Sequence, residues 1–297
     1  MAVDYTDLYM RSALYQKSGF LPILSLIILT VARIAPIITL APFFGSRILP
    51  HPVKMVFTLC LVAIVMPKLL VTSTEPVAFN ATMMLLFVKE LFIGLIMGFF
   101  LGLPFLIISA AGTFIDHQRG AASLMVTDPT IQGQASPIGT LYNLVLISLF
   151  YAVDGPFFVL DAILDSYQVV PPDKLLNPLF FAPQTILRDK IMQSLQVFTQ
   201  LALQLSAPAL IAILMTDTFL GIINRLAPQV QITFLGMGLK SWLAILMVCL
   251  GWVVFCDVLR KQTILWLREF LELMPAFGVT EPVNPSSAPP LWNPIKP

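Results

Sequence analysis

The chain has 297 residues, of which 58% are hydrophobic and only 11% are charged, and its formal net charge is +1. Ordinary soluble domains carry roughly 25% charged residues, so this composition, with a mean hydropathy of +0.88, indicates a membrane-class protein. A net charge of +1 is too small, and no Lys/Arg cluster is dense enough, to indicate nucleic acid as a partner.

Six apolar segments follow one another along the chain, at residues 20–44, 53–71, 81–115, 137–160, 191–216 and 241–259. A membrane-spanning helix needs about 20 apolar residues, and several of these segments reach that length. None shows the sustained two-residue alternation of a barrel strand. The sequence therefore predicts an all-α, polytopic protein built of long apolar helices and helical hairpins.

Three regions of the chain differ in composition. Residues 1–19 lack the short apolar run and cleavage site of a signal peptide and are expected to form an N-terminal segment. Residues 20–260 contain all six apolar segments and are predicted to form one helical domain. Residues 261–297 form a C-terminal segment with a Pro-rich tail, which we expect to be disordered.

Three of the six segments are poor spanning helices. Pro67 and Lys68 interrupt the second segment, and Asp154 and Gly155 lie within the fourth. The fifth carries four glutamines at spacings of three, four and four, which place them on one helix face: Gln193, Gln196, Gln200 and Gln204. A polar stripe of this kind needs a protein contact in lipid, and the sequence leaves open whether that contact lies within the chain or on another subunit.

The third apolar segment carries the clearest packing signal. Gly94, Gly98 and Gly102 recur every four residues, which exposes backbone along one helix face and allows another helix to approach closely. The sequence does not show whether that helix is internal or belongs to another chain. Lys89 and Glu90 precede the glycines as neighbours and are not assumed to pair with each other.

Arg33 is the most conspicuous charge within an apolar segment. Thirteen uncharged residues precede it from Phe20, and eleven follow it to Phe44, so its side chain lies too deep for easy contact with water. Such charges cost about 2.5–3.5 kcal/mol on insertion scales. A structural ion pair and a place on a transport path both remain open for Arg33, and the sequence names no partner for it.

A long loop is predicted between the third and fourth segments, at residues 116–137, because Gly and Pro are frequent there. Loops of about twenty residues are uncommon in compact proteins and are often lids, plugs or binding elements. No cluster of potential metal ligands completes a site around Asp116. The chain also lacks phosphate-loop, zinc-protease and serine-hydrolase motifs, so neither enzymatic activity nor a cofactor is expected.

Three stretches of the sequence resemble the signature regions of the FliR/SctT family, the export-gate subunit of type III secretion systems. They are "VARIAPIITLAPFFGSRILPHPVK" (31–54), "FIDHQRGAASLMVTDP" (114–129) and "LGIINRLAPQVQITFLGMGLK" (220–240). The resemblance spans about residues 20–260, and "DHQRG" is more similar to the virulence (SctT) branch than to the flagellar (FliR) branch. The resemblance therefore favours an injectisome.

The resemblance implies which positions matter. The plug of the closed channel would be formed by Asp116, Gln118, Arg119, Gly120, Ala121, Ala122, Ser123, Leu124, Met125, Asp128 and Pro129. Structural or assembly roles are expected, from the motifs and the glycine spacing together, for Arg33, Pro42, Pro50, Lys54, Gly94, Gly98, Gly102, Gly221, Asn224, Arg225, Pro228, Gln229, Gly236 and Lys240.

The resemblance also implies partners and a location. A single copy would join the subunits SctR (FliP-like) and SctS (FliQ-like) in a helical hetero-oligomeric gate in the bacterial inner membrane. SctU (FlhB-like) and SctV (FlhA-like) would be neighbours, and unfolded export substrates would pass through the gate. Arg225 would then lie in a protein-lined environment, because irregular polar backbone at membrane depth is tolerated only when it is buried in protein or lines a cavity.

Two other functional classes remain open from the sequence. A secondary transporter is also a polytopic helical protein, although such folds usually have two related halves and no second copy of "NRLAPQ" is present. A membrane scaffold without a conduit differs from a gate only in whether the polar loop faces a pore.

Overall fold

The computed structural model describes residues 20–44, 49–73, 77, 79–120, 136–175, 186–226 and 232–277. Within these ranges the chain forms eight α-helices and no strand, which confirms the all-α prediction. The helices are α1 (Phe20–Leu40), α2 (His51–Thr72), α3 (Ala81–Gln118), α4 (Pro137–Ala152), α5 (Gly155–Val169), α6 (Ile186–Leu226), α7 (Ile232–Leu250) and α8 (Trp252–Phe277). A 3-10 turn at Pro42–Phe44 follows α1.

Four of the described helices, α1, α2, α3 and α6, are long and apolar enough to cross a membrane. Two further spans are possible if each of two bent helix pairs is counted as one: α4 with α5, bent by 72°, and α7 with α8, bent by 60°. The apolar segments 137–160 and 241–259 are therefore not single helices. The first breaks after Ala152, and Asp154, whose φ of 57° is left-handed, directly precedes α5.

Other predicted boundaries also shift. α2 continues through Pro67 and Lys68 to Thr72, so these residues do not interrupt it. α3 continues to Gln118, which places Asp116 and Gln118 on the helix rather than in the loop that follows. α8 extends past residue 260 to Phe277, the division of the chain into three segments stays a prediction, and the Pro-rich tail lies outside the described residues.

The glycine face of α3 packs against α1, within the same chain. A Cβ built at Gly94 would overlap the carbonyl oxygen of Arg33, and one at Gly98 would lie 3.0 Å from the carbonyl oxygen of Pro36. At Gly102 the nearest atom is the carbonyl oxygen of Leu40, at 3.3 Å. Because residue numbers rise together on both helices, α1 and α3 run parallel, with their backbones in close approach.

α4 runs back along α3 through a second close approach. A Cβ at Gly112 would overlap the backbone of Gly139 on α4. Further along, the rings of Phe43, Phe105 and Phe150 form a buried cluster, with centroids 4.4–5.8 Å apart. The main apolar core therefore lies around α3, between α1, α4 and α5.

The second half of the chain is more open. In the most apolar part of α3, 67% of the residues are buried, whereas the corresponding fraction for α6 is 22%. α6 packs against α3 and against α7, where a Cβ at Gly236 would meet the side chain of Leu220 at 2.9 Å. An apolar crevice between α3, α6 and α8 is lined by Phe100, Leu201 and Trp266 among other side chains. The fold thus presents much of α6 outward.

Candidate functional site

Arg33 is fully buried and forms an ion pair with Glu90 of α3. Its Nε and Nη2 donate to the two carboxylate oxygens of Glu90, at 2.5 and 2.8 Å. Nη1 donates to Ser166 Oγ at 3.0 Å, Nη2 also donates to the carbonyl of Val170 at 2.8 Å, and the guanidinium lies 4.0 Å from the centre of the Tyr167 ring. Of the two roles left open by the sequence, the structure places Arg33 in a structural ion pair.

Lys89 shares the same carboxylate. Its Nζ lies 2.7 Å from Glu90 Oε1, although adjacent residues on a helix do not normally face each other. The ammonium also donates to the carbonyl oxygens of Pro171, Pro172 and Lys174, at 2.9, 3.3 and 2.8 Å. The side chain of Lys89 is 4% exposed. The two residues therefore do pair, which the sequence alone did not justify assuming.

The guanidinium of Arg33 and the ammonium of Lys89 both lie at the C-terminal end of α5. The last carbonyls of a helix have no partner within the helix, and this end carries a partial negative charge. Arg33 binds the carbonyl of Val170, and Lys89 binds three carbonyls of the following turn. With one carboxylate between two cations, the carbonyl oxygens stabilise the remaining positive charge.

A second polar contact joins the C-terminal end of α3 to the N-terminal end of α4. Asp116 is fully buried, and its Oδ2 accepts from Ser136 Oγ at 2.5 Å and from the backbone N–H of Ile138 at 3.0 Å. Ser136 Oγ in turn accepts from the N–H of Gly139 at 3.0 Å. Arg119 Nη2 lies 2.6 Å from Asp116 Oδ1. Asp116 therefore caps α4 from another helix by accepting the free N–H of Ile138, while Ser136 accepts that of Gly139.

The bent pair α4 and α5 is thus held to α3 at both ends by charges that match the helix dipoles. A carboxylate, Asp116, meets the positive N-terminus of α4, and the cations meet the negative C-terminus of α5. Glu90 and Asp116 are separated by about 39 Å of helix at 1.5 Å per residue. The Asp116 cap also joins the two ends of the predicted plug loop, since Arg119 and Ser136 both contact it.

The third signature region forms the end of α6 and the start of α7. Lys240 of α7 forms an ion pair with Asp217 of α6 across the pair of helices, and both side chains are partly exposed. Asn224 and Arg225 lie on the last turn of α6 and are exposed in the chain. A cation on this turn interacts favourably with the negative end of the helix. A Cβ at Gly120 would lie 3.7 Å from Met237, so the second and third regions adjoin.

The glutamine stripe of α6 is exposed in the chain, and its two end members, Gln193 and Gln204, also border crevices against α8. The four side chains, Gln193, Gln196, Gln200 and Gln204, are all exposed. Toward the C-terminal end of the same helix, apolar side chains are also exposed, among them Met215, Phe219 and Ile222. Polar groups are costly in a lipid-facing position. This distribution favours the contact with another subunit over the contact within the chain.

The remaining predicted residues are distributed over the fold. Pro42 is half-buried in the 3-10 turn, Pro50 is exposed at the start of α2, and Lys54 is buried on α2. Gly221 is exposed on α6, and a Cβ built there would have no atom within 4 Å. Outside the described residues lie Ala121, Ala122, Ser123, Leu124, Met125, Asp128, Pro129, Pro228 and Gln229.

Several residues of these contacts were not singled out from the sequence. Ser136 could have been found, because a serine directly before Pro137 is a typical N-cap signal. Asp217, the partner of the predicted Lys240, directly follows the uncharged segment 191–216, which also could have drawn attention to it. Ser166 and the turn after α5 carry no such signal. Within the described part of the chain, no group of three His, Cys, Asp or Glu side chains could hold a metal ion.

Comparison with known proteins places these features in context. The family model described as "Bacterial export proteins, family 1" matches residues 24–264. The chain is 29% identical to "Surface presentation of antigens protein SpaR" of Shigella flexneri, over 76% of this chain and 85% of that protein. It is 33% identical to "Yop proteins translocation protein T" of Yersinia pestis, over 59% and 64% respectively. With "Flagellar biosynthetic protein FliR" of Bacillus subtilis the identity is 26%, over 85% and 96%.

Proposed function

Since the chain belongs to the bacterial export protein family 1, we propose that it is a subunit of the type III secretion export apparatus in the bacterial inner membrane. The relatives named SpaR and translocation protein T, together with FliR, support this function. Six possible spans, counting each bent pair as one, fit a multi-pass membrane protein. The family consists of export components, and we propose no enzymatic step for this chain.

We propose an injectisome rather than a flagellum as the system. Two observations support this branch: the "DHQRG" motif at 116–120, and the identities of 29% and 33% to SpaR and translocation protein T against 26% to FliR. In this role the chain forms part of the gate through which unfolded substrates pass. A secondary transporter receives no support from the relatives.

The exposed face of α6 supports the proposal that this chain contacts other subunits of the gate. This helix is long enough to cross a membrane, yet little of it is buried and its exposed face bears four glutamines. Amides at membrane depth require hydrogen-bonding partners. We therefore assign this face to the SctR- and SctS-type subunits, with SctU- and SctV-type proteins as further neighbours of the complex.

Co-expression tests the subunit assignment. The full-length chain should purify as a defined hetero-oligomer with the SctR- and SctS-type proteins and should aggregate or be degraded without them. Isolation of a stable, monodisperse single chain that does not associate with these proteins would contradict the assignment.

Photo-crosslinking tests the α6 face. A photoreactive amino acid at Gln196 or Gln200 should give crosslinks to a gate subunit in membranes. The matched control uses the same labelled chain in cells that lack the SctR-type subunit, where that adduct should disappear. If both positions react only with lipid in the complete system, α6 does not form the proposed interface.

We also propose that the loop after α3 forms the plug of the closed channel. Support comes from the Asp116 cap, which brings the two ends of residues 119–136 to one place on the α3–α4 corner. A loop whose ends are fixed can be displaced without separating the helices that carry it. The residues assigned to the plug itself beyond Gly120 lie outside the described residues.

A further inference from the structure

The surroundings of Lys89 differ from those of an ordinary buried ion pair. Four oxygen atoms surround its Nζ: Glu90 Oε1 at 2.7 Å and the carbonyl oxygens of Pro171, Lys174 and Pro172 at 2.9, 2.8 and 3.3 Å. We call these four atoms the oxygen cage. Three of the four belong to backbone, so substitution of those residues leaves the cage oxygens in place.

The charges show why a cation is needed in the cage. Glu90 already accepts two hydrogen bonds from Arg33, so its charge is matched before Lys89 is counted. The ammonium also lies among three carbonyl oxygens of the turn after α5, and the carboxylates of Glu90 and of Asp173 on that turn attract it. Without a cation there, three carbonyl oxygens beside a buried carboxylate would lose their donor, and unpaired buried acceptors destabilise a fold.

The connection between elements follows from the positions of these atoms along the chain. Lys89 lies on α3, whereas the three carbonyls lie on the turn 171–174 through which the chain leaves α5. Arg33 already fixes Val170, the residue before this turn. Lys89 therefore extends the attachment of α5 beyond the end of the helix.

We propose that Lys89 is a positioning residue whose ammonium acts as a tethered cation in the oxygen cage and fixes the turn 171–174 to α3. The proposal concerns the folded chain itself, whereas its experiment uses the complex with the gate subunits and in that respect rests on the proposed function. An ammonium ion has the same charge and the same hydrogen-bonding head as the lysine side chain. Shortening the side chain should therefore create a site that free ammonium can enter.

Chemical rescue distinguishes this role from simple packing. In the full-length chain purified with its gate subunits, Lys89→Ala should lower the midpoint of thermal unfolding by about 10 °C, as expected for removal of one member of a buried charged group. Ammonium chloride at about 100 mM should recover a large part of this loss, whereas sodium chloride at the same concentration should not. Sodium ions are smaller and donate no hydrogen bond.

Two matched variants complete the experiment. Lys89→Met is only one atom shorter and places an apolar group next to the cage, so ammonium should not rescue it. Lys174→Met removes a lysine whose carbonyl, but not whose exposed side chain, belongs to the cage, so it should unfold like the wild type with either salt.

The proposal is wrong if Lys89→Ala and Lys89→Met unfold at the same temperature and ammonium affects both equally. If Lys89→Ala does not fold, Lys89→Gln provides the decisive comparison, because its amide donates to carbonyls without carrying charge. Unfolding of Lys89→Gln at the wild-type temperature would show that a neutral donor suffices and would also overturn the proposal.

Discussion

Replacement of Gly94 with alanine tests the contact between α1 and α3 with the smallest possible change. The new methyl group would overlap the carbonyl oxygen of Arg33 and lie 3.0 Å from its Cα and carbonyl carbon. These are backbone atoms, so no side-chain rotation can relieve the contact and the helices must separate. Overpacking costs about 1–3 kcal/mol, and alanine in place of a helical glycine returns about 0.5–1 kcal/mol. The expected net destabilisation is about 1–2 kcal/mol.

Thermal unfolding of the purified gate complex measures this effect. At about 2–4 °C per kcal/mol for a chain of this size class, Gly94→Ala should lower the midpoint by about 3–6 °C. Gly102→Ala, which would approach only the carbonyl of Leu40 at 3.3 Å, should have a smaller effect. Gly238→Ala is the control, since nothing lies within 4 Å of its new methyl group. If Gly94→Ala unfolds like Gly238→Ala, the close approach of the two helices is refuted.

Substitutions at Glu90, Asp116 and Arg225 test three further roles, the first two each beside a control variant. Glu90→Gln should destabilise the chain by about 3–5 kcal/mol, because Arg33 and Lys89 then lack a carboxylate. The control is Asp165→Asn, at the exposed ion pair with Lys68, which should destabilise the chain by less than about 1 kcal/mol. If Glu90→Gln and Asp165→Asn lower the unfolding midpoint equally, the role of the buried carboxylate is contradicted. Asp116→Ala should destabilise the chain by about 1–2 kcal/mol, because α4 loses its cap. Gln118→Ala, at an exposed residue of the same turn, should have little effect. Equal unfolding midpoints for these two variants would rule out the cap. Arg225→Ala should leave the chain folded but reduce assembly of the complex and secretion. Arg225→Lys should recover these activities only in part. Secretion of Arg225→Ala at the wild-type level would contradict an assembly role for Arg225.

Local sequence signals predicted part of this fold well. The four-residue spacing of Gly94, Gly98 and Gly102 predicted a close helix contact, and the structure supplies α1 as the partner. Asp154 and Gly155 marked the fourth segment as a poor spanning helix, and α4 ends there. These features depend on backbone sterics over a few residues, which a sequence displays directly.

Contacts between distant residues were not predictable in the same way. Arg33 pairs with Glu90, 57 residues away, and reaches Val170, 137 residues away. Many helix arrangements could bring either pair together, so a buried arginine indicates that a partner exists without naming it. Proline was also misleading in α2, which continues past Pro67. Tertiary packing, which a single sequence does not display, holds such a helix together.

The central claim is that this chain forms part of a closed conduit, and solute leakage tests it most directly. Cells that express the complete gate should become permeable to ions or small solutes when residues 121–126 are deleted, while the complex still assembles. Deletion of six residues in the Pro-rich tail, 281–286, is the matched control and should leave the membrane tight. A shortened protein that assembles normally in a membrane as tight as that of the wild type would contradict the claim.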